Sequence, residues 1–374
     1  MTSQKQLVDP KKTTTRDIRF DILKTLGICL IILAYVIPKN IFFHIRNFDV
    51  PLMVIVSGAL FYYSNYNKEY SLFSYLYKRI PRIVAPVWLF LSFYFTSSYI
   101  AFNLLGKDYP FLLKKHIVDS FLLLEGIGYV WIIRVFILVA IASTVILNLY
   151  KNSRSQNYFF AVLSFIYLGY EVLVELSTKI GLDNNAILST LVKEYIFYTI
   201  PYGCLFGLGL ALPTTKRKSI LVIAGVFLTA FCTIGAYSYY IQGIIPLTQD
   251  FKYPPRIYYV AYGIFMSMLA FIGVDTLCKK YNLNHQENPI TKFIVFISTS
   301  TLWIYLWHIF FLSVEQLLAK TKPNLTSNYI MSFLVIITLS ILTTYIQKKF
   351  ISLVIKRTKF GYNNSEMLST LFLK

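Results

Sequence analysis

Two arginines three residues apart, Arg79 and Arg82, lie in the run Lys78-Arg79-Ile80-Pro81-Arg82 between two long apolar stretches, with Lys68 shortly upstream. Residues at i and i+3 share a helix face, and paired guanidinium forks match the oxygens of a phosphate group. The run also fits a second role, because cytoplasmic loops of membrane proteins collect Lys and Arg and bind anionic headgroups. Pro81 is placed to open a helix at its first turn, where free amide N–H groups would add to an anion site. An anionic cofactor and a lipid surface both fit this cluster.

Other polar residues lie inside apolar runs. Asp21 and Lys24 are i,i+3 neighbours, and at about 100° per residue Lys24 and Tyr35 project about 20° apart, on one stripe with Asp21. That stripe reads either as an interfacial ion pair plus a packed aromatic or as one side of a site. Arg134, in Trp131-Ile132-Ile133-Arg134, has no acidic residue beside it in its run. A charge at that depth costs a few kcal/mol, so Arg134 faces the bundle interior or snorkels about 7 Å to the nearer end. His308, in Tyr305-Leu306-Trp307-His308, is either a hydrogen-bonded core histidine or a proton carrier. At about 1.5 Å per residue, Tyr35, Arg134 and His308 all lie about 22–23 Å from the inner ends of their helices, a common level from which they would line one cavity. Ser57-Gly58 fits close helix packing through small residues. In Tyr253-Pro254-Pro255-Arg256 the prolines stiffen a loop, and Tyr253 with Arg256 suits a sugar.

The elements that must position these residues follow from composition. The chain of 374 residues is 56% hydrophobic and 17% aromatic, with mean hydropathy +0.58. That points to an all-α, polytopic membrane bundle. Apolar windows of about 20 residues predict ten spans, at roughly 20–38, 48–66, 84–105, 129–149, 158–176, 196–212, 219–241, 257–277, 293–314 and 328–346. The net charge of +19 would suggest nucleic acid in a soluble protein. Here the cations sit in short loops, so membrane lipids and topology account for them and no nucleic-acid partner is expected. With the N-terminus inside, inner segments carry about 23 Lys and Arg against about 11 outside, which predicts both termini in the cytoplasm. The segment 117–126, with Asp119 and Glu125, is too charged to span and is expected along the outer interface. One domain, 1–374, is expected, with tails at 1–19 and 347–374 around a bundle at 20–346. The N-terminus does not resemble a cleavable signal peptide. Cys29, Cys204, Cys232 and Cys278 form no C-x-x-C pair, so neither a metal nor a disulfide framework is suggested. No internal repeat is visible, which argues against a transporter built from paired halves.

Together these residues resemble the acyltransferase 3 family, bacterial membrane proteins that place acyl groups, usually acetyl, on surface carbohydrates. Arg19-Phe20-Asp21-Ile22-Leu23-Lys24 looks like the family's opening R-x-D-x-x-(R/K). Asn47-Phe48-Asp49-Val50-Pro51-Leu52-Met53 with Ser57-Gly58 resembles its second-span signature, and Arg79-Ile80-Pro81-Arg82 its R-x-x-R motif. Trp131 and Arg134 sit in a segment similar to relatives, as does Tyr253-Pro254-Pro255, and Ile304-Tyr305-Leu306-Trp307-His308 resembles a late I-Y-L-x-H. One departure stands out: in Leu30-Ile31-Ile32-Leu33-Ala34-Tyr35, tyrosine occupies the place of the histidine that serves as the family's general base.

The resemblance implies transfer of an acyl group from acyl-CoA, most commonly acetyl-CoA, to a hydroxyl of a surface or lipid-linked polysaccharide at the bacterial cytoplasmic membrane, without a metal. It implies that Arg79, Arg82 and Lys24 hold the donor, that Tyr35, His308 and Arg134 carry the chemistry, and that Asp21, Ser57, Trp131, Tyr253 and Arg256 shape the substrate cavity. Tyrosine, with a pKa near 10, is a poor base at neutral pH. A transporter or flippase of a sugar-linked substrate and a non-catalytic relative are the alternatives.

Overall fold

The computed structural model describes residues 16–68, 71–104, 106, 113–124, 126–179, 186–283, 288–321 and 328–373. Among these every regular element is helical. Glu125 and residues 1–15 of the expected N-terminal tail lie outside the described residues. The chain runs through α1 (Ile18–Val36), α2 (Ile41–Ile45), α3 (Asp49–Asn65), α4 (Leu72–Leu104), α5 (Lys114–Phe121), α6 (Trp131–Asn152) and α7 (Gln156–Lys179). It continues through α8 (Ala186–Thr190), a π-helical stretch over Leu191–Ile196, α9 (Phe197–Ala211), α10 (Arg217–Gln242) and α11 (Ile257–Tyr281). Then come α12 (Pro289–Thr299), α13 (Thr301–Thr321), α14 (Tyr329–Arg357), α15 (Lys359–Asn363) and α16 (Ser365–Leu368).

Nine helical stretches among the described residues are long and apolar enough to cross a membrane. The remaining expected span is α1, which carries Arg19, Asp21 and Lys24 in its first two turns and is not among the nine. Asp17 caps α1 by accepting the amide of Arg19 at 3.1 Å. Three expectations change. α4 begins at Leu72, well before the predicted span start at 84, so Pro81 lies inside the helix and cannot supply first-turn amides to an anion. A proline tolerated there leaves the carbonyl four residues back without its helical donor. The predicted span 293–314 is two helices broken at Ser300, where Ser298, Thr299, Ser300 and Thr301 compete for backbone hydrogen bonds. Thr299 Oγ1 donates back to the carbonyl of Val295 at 2.8 Å, and the amide of Ser300 bonds only three residues back, to Ile297. Finally, residues 347–373 do not trail away. They lengthen α14 and then return, so that Phe372 stacks on Trp303 and Trp303 Nε1 donates to the carbonyl of Leu371 at 2.9 Å.

Thirteen of the 17 residues of α3 are buried, whereas in α10 only Ile220 and Ala224 of 26 are. The first is therefore the centre of the bundle and the second a peripheral helix whose Leu221, Val222 and Val226 face outward. α3 meets α9 backbone to backbone. A Cβ on Gly58 would overlap the carbonyl oxygen of Phe206, and one on Gly209 would overlap that of Ile55. Small residues there let two spans approach more closely than side chains allow.

Gly58→Ala is therefore expected to destabilise the protein by about 1–3 kcal/mol through overpacking. Gly225→Ala, with open space around its Cβ, should leave the midpoint of thermal unfolding in detergent unchanged.

Candidate active site

A cavity of about 500 Å³ opens at the end of the bundle where α1 begins and α3 ends. Lys24 of α1, Lys68, and Lys78, Arg79 and Arg82 of α4 line it, with Ser57, Ser64 and Asn65 of α3 between them. A second cavity of about 310 Å³ shares Lys24, Ser57, Arg79, Arg82 and Phe136 and continues inward along Ile28, Ile31, Ile132 and Ile133 to Tyr305. No Asp or Glu lines either one. Lys24, Arg79 and Arg82 form no ion pair among the described residues, so this is a cationic mouth leading into an apolar bore. The break between α12 and α13 opens onto the bore through Thr299, Thr301 and Leu302.

At the inner end of the bore stands a set of rings. Tyr305 is nearly fully buried, and its ring centroid lies 4.7 Å from that of His308. Tyr35 lies 5.5 Å from His308 and 4.9 Å from Tyr129, ring to ring. The Tyr305 hydroxyl donates to the carbonyl of Tyr129 at 2.6 Å. His308 is completely buried, with Nδ1 bonded to the carbonyl of Tyr305 and Nε2 without a partner. A carbonyl can only accept, so Nδ1 carries the proton and Nε2 keeps a free lone pair.

On the other face of α6 from the bore lies a cavity of about 540 Å³, lined by Gly128, Trp131, Arg134, Lys193, Glu194, Tyr198, Tyr253 and Pro254 among others. Trp131 and Tyr253 meet edge to face at 5.2 Å. Arg134 Nη2 pairs with Glu194 at 2.5 Å, and the guanidinium lies over the Tyr198 ring at 5.3 Å. Next to this cavity three buried charges form a knot: Asp49 pairs with Arg46 at 2.5 Å and with Lys252 at 3.6 Å. Asn47 links it to the loop, accepting from Lys252 Nζ at 3.1 Å and donating to Thr248 at 3.1 Å. Burial depresses the Lys252 pKa while the Asp49 charge opposes that shift. Lys252 Nζ also lies over the rings of Trp131, Tyr253 and Tyr259, at 5.5, 5.8 and 5.7 Å, and so fixes the aromatic floor of the cavity.

The structure brings Tyr35 and His308 together, and Lys24, Ser57, Arg79 and Arg82 around the basic cavity. Arg134 does not join the ring pair; it lines the opposite cavity with Trp131 and Tyr253. Asp21 does not pair with Lys24. It is held by Arg16 through bonds of 2.7 and 2.5 Å, which leaves Lys24 to the cavity. Arg256 bonds Glu171 at 2.6 Å and clamps the 254–256 loop to α7 rather than lining the cavity. Tyr167 and Tyr170 donate to the Pro255 carbonyl in the same clamp, and the Tyr253–Pro254 peptide is cis. Tyr129, Tyr198, Glu194 and the Arg46–Asp49–Lys252 knot were not singled out in the sequence as site residues. A carboxylate at the start of the 196–212 apolar run and a lysine between Phe251 and Tyr253 were the signals available. Among the described residues no group of three His, Cys, Asp or Glu side chains is placed to hold a metal ion.

A family model for an acyltransferase domain, that of the acyltransferase 3 family, matches residues 17–346. No curated protein and no solved structure matches.

Asp49→Ala would leave Arg46 and Lys252 buried without a counter-charge. It is expected to cost about 3–5 kcal/mol, read as a large fall in the thermal midpoint. The triple change Arg46→Met, Asp49→Leu and Lys252→Met should recover most of that loss, because no unpaired buried charge then remains.

Proposed function

The chain belongs to the acyltransferase 3 family of membrane acyltransferases, and on that premise we propose that it moves an acyl group, with acetyl as the expected case, from acyl-CoA to a hydroxyl of a surface or lipid-linked polysaccharide. The observation that carries this reading is the basic cavity with five cations and no carboxylate, continuous with an apolar bore that ends at Tyr305, whose ring lies against that of His308. The mouth suits the phosphates and nucleotide of CoA, and the bore suits the pantetheine arm and a small thioester. By the distribution of Lys and Arg the mouth faces the cytoplasm of a bacterial cell, where acyl-CoA is made.

The acceptor hydroxyl would enter from the opposite cavity, where the faces of Trp131, Tyr198 and Tyr253 offer flat apolar surface to a sugar ring. Nε2 of His308 takes the hydroxyl proton as the acceptor oxygen bonds to the thioester carbonyl carbon. The C–S bond then breaks and the departing sulfur takes that proton, leaving an ester and free CoA. Tyr35, protonated at neutral pH, donates a hydrogen bond to the oxygen that becomes negative in between. The ring cluster keeps water away from the thioester, which would otherwise be hydrolysed. The family's histidine is thus replaced in function by His308, with Tyr35 as a donor instead of a base.

Labelled acetyl-CoA should pass its acetyl group to surface glycan in membranes containing the protein. Arg79→Ala with Arg82→Ala should weaken the donor KM by roughly 100-fold, from two lost charged contacts. Transfer indifferent to that pair would sink the donor assignment, whereas movement of a sugar-linked substrate without any transfer, unaffected by the pair, would favour a transporter. His308→Gln should lower kcat by about 10²–10⁴ with donor binding intact. Tyr35→Phe should lower it by about 10²–10³, again without a change in donor affinity. A rate unaffected by both would rule out the ring pair as the reacting centre.

A further inference from the structure

Arg134 is 5% exposed, yet only one of its three guanidinium nitrogens has a partner. Nη2 is bound by Glu194, while Nε and Nη1 are buried and unbonded. The residue lines the 540 Å³ cavity on the face away from the CoA mouth. Buried guanidinium N–H groups left without partners in a residue that lines a cavity are a standing demand for an acceptor, and an ionised oxygen meets it best. A second, independent feature points the same way. α6 begins at Trp131 in that same wall, and no side chain caps its first turn. The free amides and positive end of a helix of 22 residues therefore face the region that Arg134 faces. The cavity's charged lining is Arg134, Lys193 and Glu194, two cations against one carboxylate.

We infer that Arg134 is an anion-binding residue of the acceptor cavity, and that the acceptor glycan is acidic, carrying a carboxylate or a phosphodiester that docks on this guanidinium. The inference rests on the proposed acyltransferase reading, in which the acceptor enters by this cavity. Arg134 holds the anionic substituent of the sugar beside the stacking faces of Trp131 and Tyr253, and this sets which hydroxyl is presented to His308. Glu194 keeps the guanidinium oriented and balances half of the local positive charge when the cavity is empty. A neutral glycan offers only hydroxyl and ring oxygens, weaker acceptors for a guanidinium than an ionised oxygen, and binds less tightly.

The test uses the full chain in nanodiscs of zwitterionic lipid, with three probes: an oligogalacturonate, a glycerol-phosphate oligomer and maltohexaose. Binding is measured for each by fluorescence titration, with acyl-CoA binding followed in the same preparations. The wild type should prefer one or both anionic oligomers over maltohexaose by at least about tenfold. Whichever is preferred identifies the carboxylate or the phosphodiester as the source. Arg134→Gln with Glu194→Gln removes both charges without stranding either, and should abolish the preference while the thermal midpoint holds. Glu194→Gln alone removes the competing carboxylate and should strengthen anion binding severalfold; a purely structural ion pair would give no such gain. Equal binding of maltohexaose by the wild type, or a preference that survives the double change, would overturn the inference. Because acyl-CoA binding is read separately, that result would leave the donor assignment standing, whereas loss of acyl-CoA binding alone would count against the donor assignment.

Discussion

An ionised side chain inside a helical membrane bundle needs a counter-charge or a water-filled space, and that constraint sorts every charge in this protein. Asp49 sits between Arg46 and Lys252, Asp21 is gripped by Arg16, and Arg256 is tied to Glu171. Each of these has its partner built into the fold and serves to fix a loop or a helix start. Lys24, Arg79 and Arg82 pair with no carboxylate among the described residues and lie together on a cavity wall instead. Arg134 is the intermediate case, with one nitrogen satisfied and two open. The difference between a structural charge and a functional one is therefore whether its partner comes from the protein or from a ligand.

Helix geometry then explains how two cavities approach without merging. On α6, Trp131 and Arg134 are i,i+3 and share a face, while Ile132 and Ile133 point to the other side. The first pair lines the cavity on one side and the second pair lines the apolar bore. Tyr305 closes the bore, and its ring belongs to a cluster with His308, Tyr35 and Tyr129.

The break at Ser300 and the returning C-terminal segment shape the basic side. Lys348 Nζ donates to the carbonyls of Thr299 and Leu373, at 3.3 and 3.0 Å, which ties the broken turn to the chain's last described residues. The Trp303–Phe372 stack holds the same segment against α13. The start of α13, which carries Tyr305 and His308, is thereby anchored at both ends of its first two turns.

What the sequence determined was most of what depends on one helix at a time, though not the break at Ser300 or the early start of α4. Apolar windows placed the spans, and local charge placed the Arg79–Arg82 pair on one face. The resemblance located Tyr35 and His308, and the common depth of those two residues was legible from rise per residue. Depth does not fix rotation about the bundle axis, so the same arithmetic put Arg134 with them when its side chain faces the other cavity. Partners contributed by distant segments, Glu194 for Arg134 and Lys252 for Asp49, were equally out of reach. Only the tertiary structure decided these, because hydrophobic periodicity records which face of a helix avoids lipid or solvent but not which neighbouring helix that face will meet.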